Sequence, residues 1–473
     1  MTATLLLQRL VRIFFAGDRA AGFQMRPFLA CLLALFGVGA ARAQPTQQQF
    51  DALRRIEHIV VVFMENRSFD NLFATFPGAN GIANAGPAAL QVQASGAIYP
   101  ILPQPLIRHQ GKVEADTRFP ASLPNGPFRM EDFAKQTDMA PSPIHAFYQE
   151  QAQIAGGAMN RFVAYTDVGA AVMGWQDMRE STHWKLAAEF TLGDNFFHSA
   201  FGGSFLNHAF LACSCAFRWP GAPDSIVARL DTAGQLVRDG QVTPDGYAVN
   251  TSRSIHLHHP NDAKDPERLV PAQTMPHLGN RLDAAGVSWK WYSQGYDNAL
   301  AGKPDRAFSF HHNPFAYFAD LAPGSEAQKR HLQDYPDLER DLANNTLPQI
   351  VFYKPLASNS MHPGNGTVAA GDAHLAEVIA MLRASPAYAN MLIIVTYDEN
   401  GGYWDHVAPP KRDRWGPGSR VPMIAIGNMV RRGFIDHTQY DFGSILRTIQ
   451  LRWRVAPVND IDARATPLWN LLQ

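Results

Sequence analysis

Short apolar runs alternate with helix-length segments along most of this chain. Residues 59–63 and 391–397 are continuous runs of aliphatic, β-branched and aromatic side chains bounded by polar ones, a pattern typical of strands buried on both faces. Similar runs occur at 287–292, 349–353 and 421–426. Strands separated by helices favour a parallel sheet with helices on both faces. The sequence therefore predicts an α/β fold with a mostly parallel central sheet.

Between these strands, three- and four-residue spacing of apolar positions predicts amphipathic helices. Two other segments, 77–135 and 216–275, are rich in loop-forming residues and weakly patterned, which indicates long insertions rather than a separate domain. The expected helices start after Pro143, span 174–188, open at Ser204, lie near 277–285, and follow Asp372 and Thr438, the last two as N-caps.

The first 43 residues have the pattern of a targeting segment. Met25-Arg26-Pro27 precede an apolar run from Phe28 to Val38 and the sequence Ala41-Arg42-Ala43, which fits a signal peptide cleaved before Gln44. Either Met1 or Met25 is the start, and an uncleaved anchor is the alternative, although the run is short for a membrane span. We expect an N-terminal extension and signal peptide over 1–43, one domain over 44–473, and a periplasmic or secreted protein without a transmembrane segment.

Composition narrows the functional classes. The 473 residues are 46% hydrophobic and 18% charged with a net charge of −1, an ordinary soluble composition that gives no reason to expect a nucleic-acid partner. The oligomeric state is left open. Cys213 and Cys215 are two residues apart, which allows a strained local disulfide or two free thiols.

Polar side chains follow two of the buried runs. Glu65-Asn66 come just after the first, and Asp398-Glu399 just after the run that ends at Tyr397. The carboxyl ends of parallel strands are where such sheets bind ligands, and hard oxygen ligands suit a divalent cation. Taken alone, Glu65 could simply pair with Arg67, and Asp398-Glu399 could form an acidic turn. Two such motifs together favour one divalent metal ion, whose identity is open among Ca, Mg, Mn, Fe and Zn.

Ser204 opens a predicted helix after Gly202-Gly203. Backbone N–H groups and the helix dipole favour an anion there, and a metal could activate the hydroxyl for attack on phosphorus. The alternative is an ordinary N-cap. Several of the 17 histidines could serve as acid/base groups or as hydrogen-bond donors to a phosphate, although any one of them could be structural. The candidates are His145, His311, His312, His362 and His406.

The ordered motifs resemble those of the bacterial phosphoesterase family, which joins acid phosphatases with phosphatidylcholine-type phospholipases C. Glu65-Asn66-Arg67-Ser68-Phe69-Asp70 resembles its opening motif, and the segment 194–208 its nucleophile segment. Residues 311–315, His362-Pro363 and Tyr397–Val407 resemble its later motifs, so that the resemblance covers about residues 56–450.

The resemblance implies an alkaline-phosphatase-like fold and a phosphoseryl intermediate on Ser204. It implies a metal held by Glu65, Asn66, Ser204, Asp398 and Glu399, with His145, His311, His312, His362 and His406 around the phosphate. Ser68, despite its place in the opening motif, is expected to serve the start of a helix. The larger phospholipases of the family carry additional C-terminal domains, so the short chain favours a secreted acid phosphatase acting on phosphomonoesters. A phospholipase C acting on phosphatidylcholine-type head groups is the alternative, and a catalytically inactive binding protein is a third hypothesis.

Overall fold

An eight-stranded sheet lies at the centre of the computed structural model, which describes residues 45–109, 112–257 and 265–473. The predicted N-terminal extension and signal peptide, residues 1–43, lie outside the described residues, and the domain division stays a prediction. The sheet order is β4-β3-β5-β1-β6-β7-β2-β8. In chain order the strands are β1 (His58–Met64), β2 (Thr191–Gly193), β3 (Trp289–Ser293), β4 (Leu332–Gln333), β5 (Ile350–Lys354), β6 (Met391–Tyr397), β7 (Met423–Ile426) and β8 (Phe434–Asp436).

The sheet is mostly parallel, as predicted. The exception is β7, which pairs antiparallel with both β6 and β2. A parallel return needs a long crossover that usually contains a helix. The chain between β6 and β7 contains no helix, so it can run back along its neighbour. The central strands β1 and β6 are buried along almost their whole length.

Helices cover both faces of the sheet, which the alternation of side chains along β1 shows. Phe63 contacts His208 and Phe442 on one face. Met64, which points the other way, is in register with Tyr397, whose hydroxyl contacts His183. The α-helices are α1 (Gln47–Arg55), α2 (Phe69–Phe73), α3 (Phe147–Ile154), α4 (Thr182–Glu189), α5 (Ser204–Cys213), α6 (Leu278–Ala284), α7 (Tyr296–Leu300), α8 (Glu326–His331), α9 (Tyr335–Ala343), α10 (Val368–Ala384), α11 (Phe442–Trp453) and α12 (Asp460–Ala463).

Three helix boundaries differ from the sequence predictions. Thr367 caps α10, so Asp372 lies inside that helix. Its carboxylate instead accepts the backbone N–H groups of Thr182 and His183, at the start of α4. Helix α11 begins after Asp441, which forms a capping box with Ser444, and not after Thr438. The stretch 174–188 is helical only from Thr182 onwards. For Asp372, a polar residue that fits a cap is present, but tertiary contacts decide which N–H groups it satisfies.

The two long insertions contain short 3₁₀ helices and two-stranded ribbons in their described parts. The ribbons pair Leu106–His109 with Lys112–Ala115, Phe128–Arg129 with Gly174–Trp175, Phe217–Arg218 with Tyr247–Ala248, Arg229–Leu230 with Leu236–Arg238, and Arg253–Ser254 with Leu269–Val270. The 3₁₀ helices of the described chain are Ile82–Asn84, Gly86–Ala89, Met130–Asp132, Ala155–Gly157, Gly169–Met173, Pro266–Arg268, Phe310–His312, Pro314–Tyr317, Ala319–Leu321, Ala357–Asn359, Pro386–Asn390 and Leu468–Leu471.

Cys213 and Cys215 form a disulfide at the end of α5, which decides between the two alternatives left by the sequence. Residues Pro45–Gln473 make up one compact unit. Within the described residues, no helix is both long enough and apolar enough to cross a membrane.

Candidate functional site

The two strand-end motifs, Glu65-Asn66 after β1 and Asp398-Glu399 after β6, lie side by side. Strands β1 and β6 are parallel neighbours, and Met64 is in register with Tyr397, so Glu65-Asn66 and Asp398-Glu399 leave the sheet together. Asn66 has a φ of 55°, a left-handed conformation that asparagine tolerates better than most residues. Gly401 packs against it so closely that a Cβ there would lie 2.5 Å from the Asn66 carbonyl oxygen. This confirms that the two motifs share one sheet edge.

Ser204 is the first residue of α5 and lies against both motifs. Its Oγ is 3.2 Å from Glu399 Oε1 and 3.4 Å from Asn66 Oδ1. Gly202 and Gly203 precede it, and a Cβ at Gly202 would lie 2.5 Å from the Phe147 backbone nitrogen. Gly202 also has a φ of 86°, which favours glycine. The loop before Ser204 can therefore approach α3 only because it lacks side chains.

Four of the five candidate histidines join this group. His312 Nε2 is 2.8 Å from Glu65 Oε1 and His362 Nε2 is 3.5 Å from Glu65 Oε2. His145 Nε2 is 3.6 Å from Glu399 Oε1, and its Nδ1 donates to the Pro143 carbonyl at 2.6 Å. The ring of His311 lies 4.5 Å from the ring of His312, centroid to centroid. Carboxylates, an amide, a hydroxyl and imidazoles thus converge at one end of the sheet.

His406, the fifth candidate, lies in a different cluster. Its Nδ1 is 2.6 Å from Asp70 Oδ2 and its Nε2 is 3.2 Å from Asn80 Oδ1. Asp70, Asp405 and His406 have possible metal-ligand atoms within 4.8 Å of one another. However, the buried Arg420 guanidinium already binds both carboxylates, at 2.8 Å from Asp405 and 3.1 Å from Asp70. The Arg420 side chain thus already supplies the positive charge in this cluster. The described contacts of His406 do not connect it with Ser204.

Two residues missed by the sequence analysis belong to the Ser204 group. Lys354 Nζ, fully buried, is 2.7 Å from Glu65 Oε1 and 3.9 Å from Asp398 Oδ2. Its signal is its place at the end of β5, but its role also depends on the pairing of β5 with β1. His208 lies 3.6 Å from Asp398, and its Nδ1 donates to the Ser204 carbonyl at 2.7 Å. Its signal is its position four residues after Ser204, on the same face of α5.

Ser68 does what the sequence predicted. Its Oγ accepts the N–H of Asn71 at 3.1 Å and caps α2, and it donates to the Trp404 carbonyl at 2.7 Å. Both hydrogen-bonding functions of the hydroxyl are therefore used structurally.

The buried charges of the Ser204 group are strongly coupled. Burial acts to raise the pKa of Glu65, but His312, Lys354 and His362 outweigh it and hold the pKa well below its usual range. Burial and the nearby carboxylates of Glu65 and Glu399 raise the pKa of Asp398 well above its usual range. Burial, with the anions Glu150 and Glu65, raises the pKa of Glu399 to about 8. With all three carboxylates ionised, the site would hold more negative charge than Lys354 can balance.

The imidazoles respond to the same burial. Burial lowers the pKa of His312 to about 4, and it lowers the pKa values of His311 and His362 as well. These rings are therefore neutral at neutral pH. A neutral imidazole carries one N–H donor, which suits contact with a phosphate oxygen.

This donor set fits a divalent cation. Neither Glu65 carboxylate oxygen, nor Asp398 Oδ2, receives a hydrogen bond of normal geometry from the described residues, although each is buried. Buried acceptors are almost always satisfied, and exceptions indicate an ion or a functional role. Adjacent carboxylates whose pKa values are raised by mutual repulsion and burial are the electrostatic environment that a bound cation relieves.

A cavity of about 560 Å³ opens beside Ser204. His145, Gly203 and Asn250 are among the residues that line it. Asn250 Oδ1 also accepts the Phe147 N–H at the start of α3, at 2.9 Å. The cavity has room for the organic part of an ester whose phosphate lies at Ser204. The remaining lining residues are Ile144, Ala146, Ser225, Ile226, Asp239, Gly240, Gln241 and Thr251.

Comparison with known proteins decides the family. The model of the phosphoesterase family matches residues 56–456. The chain belongs to that family. A non-hemolytic phospholipase C of Pseudomonas aeruginosa is 24% identical over an alignment of 460 residues that covers 89% of this chain and 57% of that protein. Phospholipase C B of Mycobacterium tuberculosis is 26% identical over 449 residues, covering 87% of this chain and 75% of that protein.

Membership of the phosphoesterase family confirms the resemblance seen in the sequence. The chain spans less than three-fifths of the Pseudomonas protein and of a similar phospholipase from Burkholderia pseudomallei, 57% and 59% respectively. Among solved structures, a protein of the alkaline phosphatase superfamily from Vibrio parahaemolyticus is 9% identical, with a TM-score of 0.32, and the match covers 69% of this chain and 71% of that one. Metal dependence is a general property of this family.

Proposed function

We propose that this protein hydrolyses phosphate esters by attack of Ser204 Oγ on phosphorus. The observation that carries the proposal is the position of Ser204 Oγ, at a helix N-terminus and within 3.4 Å of both strand-end motifs. A bond forms between Oγ and phosphorus while the bond from phosphorus to the leaving oxygen breaks, and the hydroxyl proton passes to Glu399 Oε1, 3.2 Å from Oγ. Water then attacks the phosphoserine and releases the phosphate product, which restores the hydroxyl.

Each side chain has a proposed part in this exchange. One divalent ion would be held by Glu65, Asn66, Ser204, Asp398 and Glu399; when bound, it would lower the pKa of the serine hydroxyl and neutralise phosphate charge. The neutral His311, His312 and His362 would donate hydrogen bonds to phosphate oxygens. His145 lines the cavity that receives the leaving group, so we assign it the proton delivered to the leaving oxygen. No catalytic part is proposed for His406.

Two leaving-group classes are candidates. A phosphomonoester would make the protein an acid phosphatase, as the sequence analysis expected first. A phosphatidylcholine-type diester would make it a phospholipase C, like the relatives from Pseudomonas and Mycobacterium. Those relatives favour the diester, because both are phospholipases C.

Parallel assays with p-nitrophenyl phosphate and p-nitrophenylphosphorylcholine test both candidates. We expect turnover of at least one ester, its loss on chelation, and its recovery when a divalent ion is restored. Ser204→Ala should abolish turnover, and Ser68→Ala, folded to the same extent, should retain it. Turnover that survives Ser204→Ala would contradict the proposed nucleophile. A protein without turnover of either ester would fit the hypothesis of an inactive binding protein.

A further inference from the structure

A β-hairpin with exposed apolar side chains lies at the edge of the cavity beside Ser204. The 229–238 hairpin pairs Arg229–Leu230 with Leu236–Arg238. Leu230 and Leu236 are directly opposite each other, so their side chains share one face of the ribbon. They are 36% and 40% exposed, and Val237 is 68% exposed. Three large apolar side chains within eight residues are thus in contact with solvent.

The hairpin is continuous with the wall of the cavity. Ser225 and Ile226 precede its first strand, and Asp239 and Gly240 follow its second; all four line the cavity that contains His145 and Gly203. The Ala228 N–H bonds the Val242 carbonyl at 2.8 Å, which fixes the base of the hairpin. Each strand adds about 3.3 Å per residue, so the tip projects roughly 10 Å from the cavity wall.

We propose that the 229–238 hairpin docks this protein on a zwitterionic phospholipid surface. This inference rests on the proposed function, since a phosphoesterase whose substrate is dissolved needs no apolar surface at the entrance to its site. A lipid ester is embedded in an interface, so its head group reaches Ser204 only if the cavity opening lies at that interface. The projection of about 10 Å is comparable to the depth at which interfacial segments bury their apolar face.

The local charge favours a zwitterionic surface over an anionic one. Between residues 224 and 239 the chain carries two arginines and three aspartates, and this composition gives no excess of positive charge. Attachment to anionic lipid depends on clusters of basic residues. Docking by this hairpin should therefore depend on apolar contact and change little with ionic strength.

Flotation with phosphatidylcholine vesicles tests the docking separately from catalysis. The parent protein in this test is Ser204→Ala, which leaves the vesicle lipid uncleaved. The test variant carries Leu230→Ser, Leu236→Ser and Val237→Ser in addition. We expect the three hairpin substitutions to weaken vesicle binding at least about tenfold, since they remove the apolar area available for burial. The matched control adds Ile98→Ser and Ile101→Ser, at residues that are 62% and 52% exposed elsewhere on the surface, and should bind as tightly as the parent.

The three hairpin substitutions in the otherwise native protein should leave turnover of the preferred soluble ester unchanged, which shows that the fold and the site are intact. The docking proposal is overturned if the parent does not bind phosphatidylcholine vesicles, or if the hairpin variant binds them as tightly as the parent. A sedimentation result in which the parent dimerises and the hairpin variant does not, with no vesicle binding, would overturn it in favour of self-association. Vesicle binding through the hairpin together with no turnover of either soluble ester would support docking and contradict the proposed function instead.

Discussion

The Glu150 carboxylate accepts the backbone N–H of Gly202 at 2.6 Å, two residues before Ser204. Its other oxygen accepts from the N–H and the hydroxyl of Ser419, at 2.9 and 3.0 Å, and lies 2.9 Å from His198 Nε2. Burial opposes this pair, but Glu150 raises the pKa of His198, and His198 lowers that of Glu150. A buried ion pair therefore holds the loop that carries Ser204.

We predict that Glu150→Gln slows catalysis without weakening substrate binding. Glutamine has one acceptor oxygen where glutamate has two, so it cannot hold Gly202 and Ser419 together, and its charge no longer balances His198. A displacement of the reacting atom by about 1 Å can cost roughly a hundredfold in rate. We expect kcat to fall by about ten- to a hundredfold with little change in KM, measured by steady-state kinetics with a soluble ester.

Gln153→Ala is the control for this variant. Gln153 is buried on the same helix, but its side chain donates to the Tyr165 carbonyl at 3.0 Å and does not reach the loop before Ser204. Gln153→Ala should lower Tm and leave kcat unchanged. Equal losses of kcat in the two variants would show that Glu150 acts only through general stability.

We predict that Glu399 makes the chelated native protein lose stability, relative to Glu399→Gln, as the pH rises from about 5 to about 8. A carboxyl whose pKa is raised in the folded state binds its proton more tightly there than in the unfolded chain, so folding is favoured at low pH and the advantage is lost as the pH rises. Glu399, raised from 4.5 to about 8, sets this window. His311, His312 and His362, whose pKa values are lowered, act in the opposite sense below about pH 6.5, but they are present in both proteins. The difference in unfolding free energy between the two proteins, measured with urea, should therefore shift by on the order of a few kcal/mol between pH 5.5 and 8.

The amide of Glu399→Gln does not titrate, so the comparison isolates the Glu399 carboxyl. Added divalent ion should remove the shift, since a bound cation stabilises the ionised carboxylates. A difference in stability between the two proteins that is the same at both pH values would contradict the raised pKa of Glu399.

Lys354→Met is predicted to destabilise the chelated protein. Removing one partner of a buried ion pair leaves the other charge uncompensated, at a cost of about 3–5 kcal/mol. Here the partner is Glu65. Lys290→Met is the comparison, because Lys290 pairs with Asp341 while remaining 23% exposed, and a partly solvated pair contributes about 1 kcal/mol or less. Urea unfolding measures both, and a smaller loss for Lys354→Met than for Lys290→Met would contradict the assignment.

The sequence predicted those site residues that follow directly from strand ends. Glu65 and Asp398 each come one residue after a long apolar run, and neighbouring parallel strands then bring them together. Lys354 ends its strand in the same way but was missed, because a lysine at the end of an apolar run is not distinguished by its type from one that points to solvent. Its role depends on the sheet order, which places β5 next to β1.

The position of His406 could not be predicted by the same reasoning. Gly401 and Gly402 both have positive φ values, 65° and 73°, a conformation that favours glycine and turns the chain sharply. The direction of the chain after such a turn depends on tertiary contacts, here the bond of Asp405 to the buried Arg420. Likewise, the antiparallel direction of β7 follows from a connection without a helix, which the apolar pattern of the strand does not report.

The Cys213–Cys215 disulfide is predicted to contribute little to stability. A cross-link that closes so short a loop removes little entropy from the unfolded chain, equivalent to about 2 kcal/mol or less. The double variant Cys213→Ala, Cys215→Ala should lower the free energy of unfolding by no more than this amount, and turnover of the soluble ester should be unchanged. A large loss of turnover would show that the end of α5 contributes to the placement of Ser204.

The covalent intermediate tests the central claim most directly. The protein is mixed with a p-nitrophenyl ester that it turns over, quenched in acid during the steady state, digested, and mapped by mass spectrometry. We predict phosphorylation, or for a diester phosphodiester formation, on the peptide that contains Ser204, and its absence from that peptide in Ser204→Ala. Modification of Ser68 instead, or rapid turnover with no modified serine at any quench time, would contradict the account.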